Sequence, residues 1–168
     1  MAKKFTFFII ILCAAFFLFS YIQIPALILE NTQVSQIVFI HKISPNDTFT
    51  MHWMHSVELE PWEEIFRIDE DYHIILDHTR FKAFGAGVPA DAGQKTMVKD
   101  GWIYFLEINQ PIPNLTYGIS HIAKHTFYFK DKAVKLYQEV PKDAPVSIYL
   151  QKTSLITYGI KKIRMLLF

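Results

Sequence analysis

From Phe5 to Leu29 the chain carries no charged residue, and from Phe5 to Ile22 it is apolar almost without interruption. A helix of about 20 residues rises ~30 Å, the thickness of a bilayer's hydrocarbon core. A segment of this kind is expected to cross a membrane, which leaves the remainder to fold on one side of it. Lys3 and Lys4 precede the segment and are expected to hold the N-terminus in the cytoplasm. Tyr21 suits the interface, and Pro25 is expected to end the helix where it leaves the lipid. A cleaved signal peptide has an apolar region of roughly 7–15 residues followed by a small-x-small site. The run here is longer and no such site follows, so the segment reads as an uncleaved anchor. The chain then divides into a cytoplasmic N-terminus (1–4), an anchor in the lipid bilayer (5–29), an extracytoplasmic domain (30–152) and a basic tail (153–168). The expected location is the cell membrane, crossed once.

Cys13, the only cysteine, lies inside the apolar run. The folded part therefore has no intrachain disulfide and no thiolate metal site. Bulky Leu12 precedes Cys13 within that run, which does not fit a lipid-attachment motif. Residues 30–160 hold 12 of the 17 Lys and Arg, because Lys3, Lys4, Lys161, Lys162 and Arg164 lie outside, and all 16 Asp and Glu, a net of −4. An acidic domain argues against nucleic acid as a partner, since phosphate binding needs a basic face.

With 15 Phe, 8 Tyr and many Ile, Val and Thr, the composition favours strands. About nine short strands are expected, at 34–40, 47–59, 62–68, 72–81, 102–108, 115–120, 125–129, 133–138 and 146–152. Turn signals fall at Ser44-Pro45-Asn46-Asp47, Asp69-Glu70-Asp71, Asp100-Gly101 and Lys130-Asp131-Lys132. The expected fold is all-β, an antiparallel sandwich or barrel preceded by one transmembrane helix.

Polar chemistry is densest from His52 to Glu64, where thirteen residues include two histidines, two tryptophans and four glutamates. Alternation puts Phe49, Met51, Trp53, His55, Val57 and Leu59 on one face of a strand and His52, Ser56 and Glu58 on the other. If Glu60-Pro61 is a two-residue connection, Leu59 faces Trp62, His55 faces Phe66 and Trp53 faces Ile68. His55 and Glu64 then point inward as a structural pair, since a buried carboxylate and imidazole are costly unless each satisfies the other. Outside, Glu58 lies across from Glu63 beside Ser56, and His52 lies across from Asp69. Opposed carboxylates raise one pKa or invite a cation. These outward residues are candidates for contact with a partner. As an alternative, His52, Glu58 and Glu63, joined by His121 and His125, form a donor set for a metal, though without recognised spacing. A hydrolase built from Ser56, His55 and Glu64 is less favoured, because adjacent Ser56 and His55 point to opposite faces. No cofactor motif is present, and the domain is expected not to be an enzyme.

The segment Gly85 to Gly93 holds three of the six glycines. Gly85 and Gly87 admit close backbone approach to a ligand or a positive φ, and Pro89 fixes Val88 as extended. The loop reads either as a structured turn or as an anion nest, without a phosphate-loop sequence. In the tail, Ile156, Ile160, Ile163 and Leu167 recur at helical spacing, with Lys161, Lys162 and Arg164 elsewhere on the wheel. A basic amphipathic helix on an anionic membrane is one reading. A last strand with a frayed end is the other.

His55-Ser56-Val57-Glu58, then Pro61-Trp62-Glu63-Glu64, then Thr79 to Pro89 and Asp100-Gly101-Trp102-Ile103 occur in an order that resembles the domain of unknown function 1850 family. The likeness spans about Val34 to Thr153. It implies a small bacterial extracytoplasmic protein of a kind often encoded beside the fused membrane subunit of TAXI-type TRAP transporters, and so an accessory role in solute uptake; the expected partner is that membrane subunit or its solute-binding protein. No catalytic residues come with it.

Overall fold

A computed structural model describes residues 2–82 and 93–167. Helix α1 (Ala2–Tyr21) is followed by β1 (Gln23–Asn31), β2 (Gln36–Lys42), β3 (Thr48–Met54), β4 (Pro61–Ile68) and β5 (Ile74–Phe81). Beyond the undescribed residues come β6 (Lys95–Lys99), β7 (Trp102–Leu106), β8 (Gln110–Pro111), β9 (Leu115–Gly118), β10 (Thr126–Phe129) and β11 (Lys132–Lys135). A short α2 (Leu136–Glu139), β12 (Pro145–Ser154) and α3 (Leu155–Leu167) complete the chain. All pairings are antiparallel. One sheet has the order β2-β1-β12-β9, the other β11-β10-β3-β4-β5-β7-β6, with β8 added to β5. The all-β expectation holds, and the sheets form a sandwich.

The main core lies between the sheets. Leu27, Leu29 and Phe39 from the smaller sheet meet Phe49, Met51, Phe66 and Phe127 from the larger, all buried. Alternation from Phe49 to Trp53 aims these side chains inward, as the sequence pattern requires. Asp100 and Gly101 adopt φ of 51° and 76° between β6 and β7, the left-handed pair that a two-residue hairpin of the Asp-Gly kind demands.

Two expectations need correction. The uncharged run predicts a membrane segment as far as Leu29, but the helix ends at Tyr21, and only Ile22 separates it from β1. Pro25 does not stop a helix. It lies within β1 opposite Lys152, just before the ladder to β2 begins at Ala26 and Lys42. The continuous apolar run Ala26-Leu27-Ile28-Leu29 looks like membrane because this strand is covered on both faces, a condition that removes alternation. Leu27 and Leu29 face the main core. Ala26 and Ile28 face outward with Ile40, under Tyr158 and Met165 of α3.

The second correction concerns the β3–β4 hairpin. Trp53 pairs with Trp62, not Ile68, and His52 with Glu63, not Asp69. The connection is the loop His55 to Glu60, in which the His55 N–H donates to Glu60 O at 2.8 Å and the Leu59 N–H to His55 O at 3.0 Å. Leu59 takes φ 56°, and Pro61 opens β4, a strand position that tolerates the missing N–H.

Because Ile28 is fully buried beneath α3, Ile28→Ala should destabilise the domain by about 2–5 kcal/mol. Val98→Ala, at an exposed position, should stay within about 0.5 kcal/mol. Urea unfolding of the full chain in detergent measures both, and an Ile28 variant as stable as the parent would contradict the placement of β1.

Candidate functional site

The ladders bring one polar residue from each of four neighbouring strands into a row on the outer face of the larger sheet. His52 on β3 pairs with Glu63 on β4, Glu63 with Arg80 on β5, and Arg80 with Tyr104 on β7. His52 Nδ1 lies 3.3 Å from Glu63 Oε1, and Arg80 Nε donates to Glu63 Oε2 at 2.6 Å. The Arg80 guanidinium also donates to Tyr104 Oη at 3.4 Å and lies 4.6 Å from the centre of the Trp102 ring. Burial pushes the Glu63 carboxyl up, but the hydrogen bonds and charges of His52 and Arg80 outweigh it and hold the group below its ordinary value. Glu63 is thus an ionised, fully engaged partner in a charge-balanced row.

Glu64, next in sequence, points the other way. It sits inside the sandwich and accepts a hydrogen bond from Tyr117 Oη on β9, so one polar contact joins the two sheets. Burial raises the Glu64 pKa, and the Tyr117 hydroxyl only partly offsets it. Burial and the Glu64 charge together raise the Tyr117 pKa.

Around this contact the rings stack. His125 lies 5.9 Å from Trp53, Trp53 5.7 Å from Trp62, and Trp62 4.7 Å from Phe81, with interplanar angles of 23°, 16° and 27°. Trp62 Nε1 is buried, with no hydrogen-bond partner among the described residues. His125 Nδ1 accepts the Ser120 N–H at 3.1 Å, which places the ring proton on Nε2. Burial, with the nearby His52, lowers the His125 pKa and keeps the ring neutral.

The expected inward pair of His55 and Glu64 does not form. His55 lies in the hairpin loop, where its Nδ1 accepts the Glu58 N–H at 3.3 Å and its ring stacks 6.0 Å from Trp62. Glu64 is satisfied by Tyr117 instead. Glu58 and Ser56 are in the same loop, away from the strand ladder, so Glu58 does not oppose Glu63. Of the alternative metal set, His52 and Glu63 meet and Glu58 does not join them. Among the described residues no group of three or more His, Cys, Asp or Glu is arranged to hold a metal. His121 Nε2 is instead 3.2 Å from Val140 O, where it donates to that carbonyl. Ser56 is exposed, and no nucleophile–base pair links it to His55. Gly85, Gly87 and Pro89 lie outside the described residues.

Arg80 and Trp102 fall within the stretches that carry the family resemblance, but neither they nor Tyr104 and Tyr117 have a site role readable from sequence; alternation on strands places Arg80, Trp102 and Tyr104 on the outer face. What joins them to Glu63 is register.

These features define a small antiparallel β-sandwich that follows an N-terminal helix long and apolar enough to cross a membrane. The chain belongs to the domain of unknown function family DUF1850, whose sequence model matches residues 49–136, from β3 to the start of α2. No curated protein and no solved structure matches it.

The two glutamates have opposite pH linkage. Glu63, with its folded pKa depressed, stabilises the domain above its unfolded value of about 4.5, and that stability is lost as pH falls through the folded value. Glu64, with its folded pKa raised, is most favourable when protonated, so its penalty grows as pH rises from about 4.5 through the folded value. Glu63→Gln should therefore lower Tm at pH 7 and converge on the parent in acid. Tyr117→Phe, which strands a buried carboxylate, should cost about 1–3 kcal/mol at pH 7 and less near pH 4. Thermal melts across this range check both signs.

Proposed function

We propose that this protein is a membrane-anchored, extracytoplasmic, non-enzymatic accessory domain that docks on the membrane subunit of a TAXI-type TRAP transporter or on its solute-binding protein. The observation that carries this reading is the His55–Glu60 loop. Val57 and Leu59 are 65% and 67% exposed there, between Ser56, Glu58 and Glu60. Two backbone hydrogen bonds close the loop, and Leu59 is held in the left-handed region without being glycine. Exposed apolar surface with a polar rim is what marks a contact site. Apolar side chains rimmed by carboxylates suit a docking surface with an apolar centre and a basic border.

The outer row of His52, Glu63, Arg80 and Tyr104 supports the same reading from the other side. Its charges are already paired within the domain, so it shapes a surface more readily than it supplies a reactive group. The α1 helix is long and apolar enough to serve as the anchor, and the transporter is what the family resemblance implies.

Copurification of the tagged full chain with the transporter membrane subunit and with the solute-binding protein tests the proposal. The parent should retain one of them, Leu59→Asp should reduce retention by at least about tenfold, the effect of ~1.4 kcal/mol, and Glu58→Lys with Glu60→Lys should weaken it further. Glu63 is left untouched in these variants, because its reversal would break the ion pair to Arg80 and the contact with His52. Failure of the parent chain to retain either partner would sink the proposal.

A further inference from the structure

Helix α3 packs on the smaller sheet and touches α1, and much of its side turned away from the sheet is exposed. Tyr158 and Met165 pack over Ala26, Ile28 and Ile40 on the outer face of the smaller sheet. At 100° per residue, Ile156, Ile160, Ile163, Leu166 and Leu167 fall on an uncharged arc about 120° wide, directed away from that sheet. Ile160, Ile163, Leu166 and Leu167 are between 54% and 73% exposed. Lys162 and Arg164 stand about 40° beyond the two edges of the arc on the same wheel. Lys161 is turned back to the protein, donating to Gln151 Oε1 at 2.6 Å, and Lys162, though exposed, has its Nζ 5.9 Å from the centre of the Tyr158 ring. An apolar stripe flanked on both sides by basic groups is the pattern of a helix lying in a membrane interface, with its cations at headgroup level.

The position of α3 identifies what covers the stripe. Gln23 at the start of β1 pairs with Ser154 at the end of β12, and the Leu155 N–H donates to Ile22 O at 3.0 Å. The first residue of α3 is thus hydrogen-bonded to the residue that follows α1, the candidate membrane span. Where α1 leaves a bilayer, α3 begins.

We infer that α3 is a second membrane contact, its Ile160–Ile163–Leu167 stripe seated in the lipid interface and Lys162 and Arg164 on anionic headgroups. This rests on the reading of α1 as a retained anchor and is independent of any transporter. It makes the smaller sheet the membrane-facing layer and leaves the outer face of the larger sheet to partners.

The test uses the full chain reconstituted alone into phosphatidylcholine vesicles doped with phosphatidylglycerol. One fluorophore is placed on native Cys13, and in a Cys13→Ala background another is placed at Ile163→Cys or, as a control on exposed β6, at Lys99→Cys. Phospholipids brominated on the acyl chain should quench the labels at 13 and 163 several-fold more than the label at 99. Omitting phosphatidylglycerol, or combining Lys162→Gln with Arg164→Gln, should lower quenching at 163 and leave 13 unchanged. Quenching at 13 without quenching at 163 would overturn the inference while keeping the anchor. A label at 163 shielded from both brominated lipid and aqueous iodide would overturn it in favour of a second copy on the stripe. No quenching at 13 would remove the anchor and the inference with it. Unchanged quenching at 163 without phosphatidylglycerol would overturn the role of anionic headgroups.

Discussion

The fold depends on the double-sided burial of β1. Ala26, Leu27, Ile28 and Leu29 are wholly inaccessible. Ladders to β2 and β12 satisfy the backbone on either side, and the main core and α3 cover the two faces. Leu27, Ile28 and Leu29 each contribute about 1.5–3 kcal/mol when buried, which makes this strand a large share of the stability of a domain whose net is small. The same strand follows α1 after the single residue Ile22. No flexible linker intervenes between the apolar helix and the centre of the smaller sheet, so the interaction that holds the sandwich together also attaches it to α1.

The larger sheet separates two chemistries by the alternation of its strands. Glu63 and Glu64 are neighbours in sequence and opposites in environment. Glu63, outward, is held ionised by Arg80 and His52, and Glu64, inward, is pushed toward neutrality and tied to Tyr117 across the sandwich. Burying a carboxylate is tolerated when another group meets it, and Tyr117 is placed to do so by the packing of the two sheets around the shared core. Stacked rings from His125 to Phe81 fill the space beside this contact. The stretch from His52 to Glu64 therefore has three parts: an outward ion pair, an inward carboxylate and a projecting loop.

Much of this was legible in the residues. Strand alternation assigned Phe49, Met51, Glu64 and Phe66 to the interior and His52 and Glu63 to the exterior, and the Asp100-Gly101 turn was readable from its dipeptide. The pairing of β3 with β4 was not. Moving the partner of Trp53 from Ile68 to Trp62 is a slip of six residues, an even number, which keeps every side chain on its original face. The hydrophobic pattern is blind to such a slip. Only the geometry of the loop, with its two closing hydrogen bonds and left-handed Leu59, fixes it.

Taken alone, the sequence determined the β class, the faces of its strands, an N-terminal helix able to span a membrane and the family, because these rest on local periodicity, length and motif order. Tertiary structure decided that Pro25 to Leu29 is a strand, that Glu64 meets Tyr117 and not His55, that Glu63 meets Arg80, and that the tail is a helix on the smaller sheet. Each of those outcomes depends on which distant segments share an environment, and a run of apolar residues carries the same hydropathy whether lipid, a second sheet or a helix covers it.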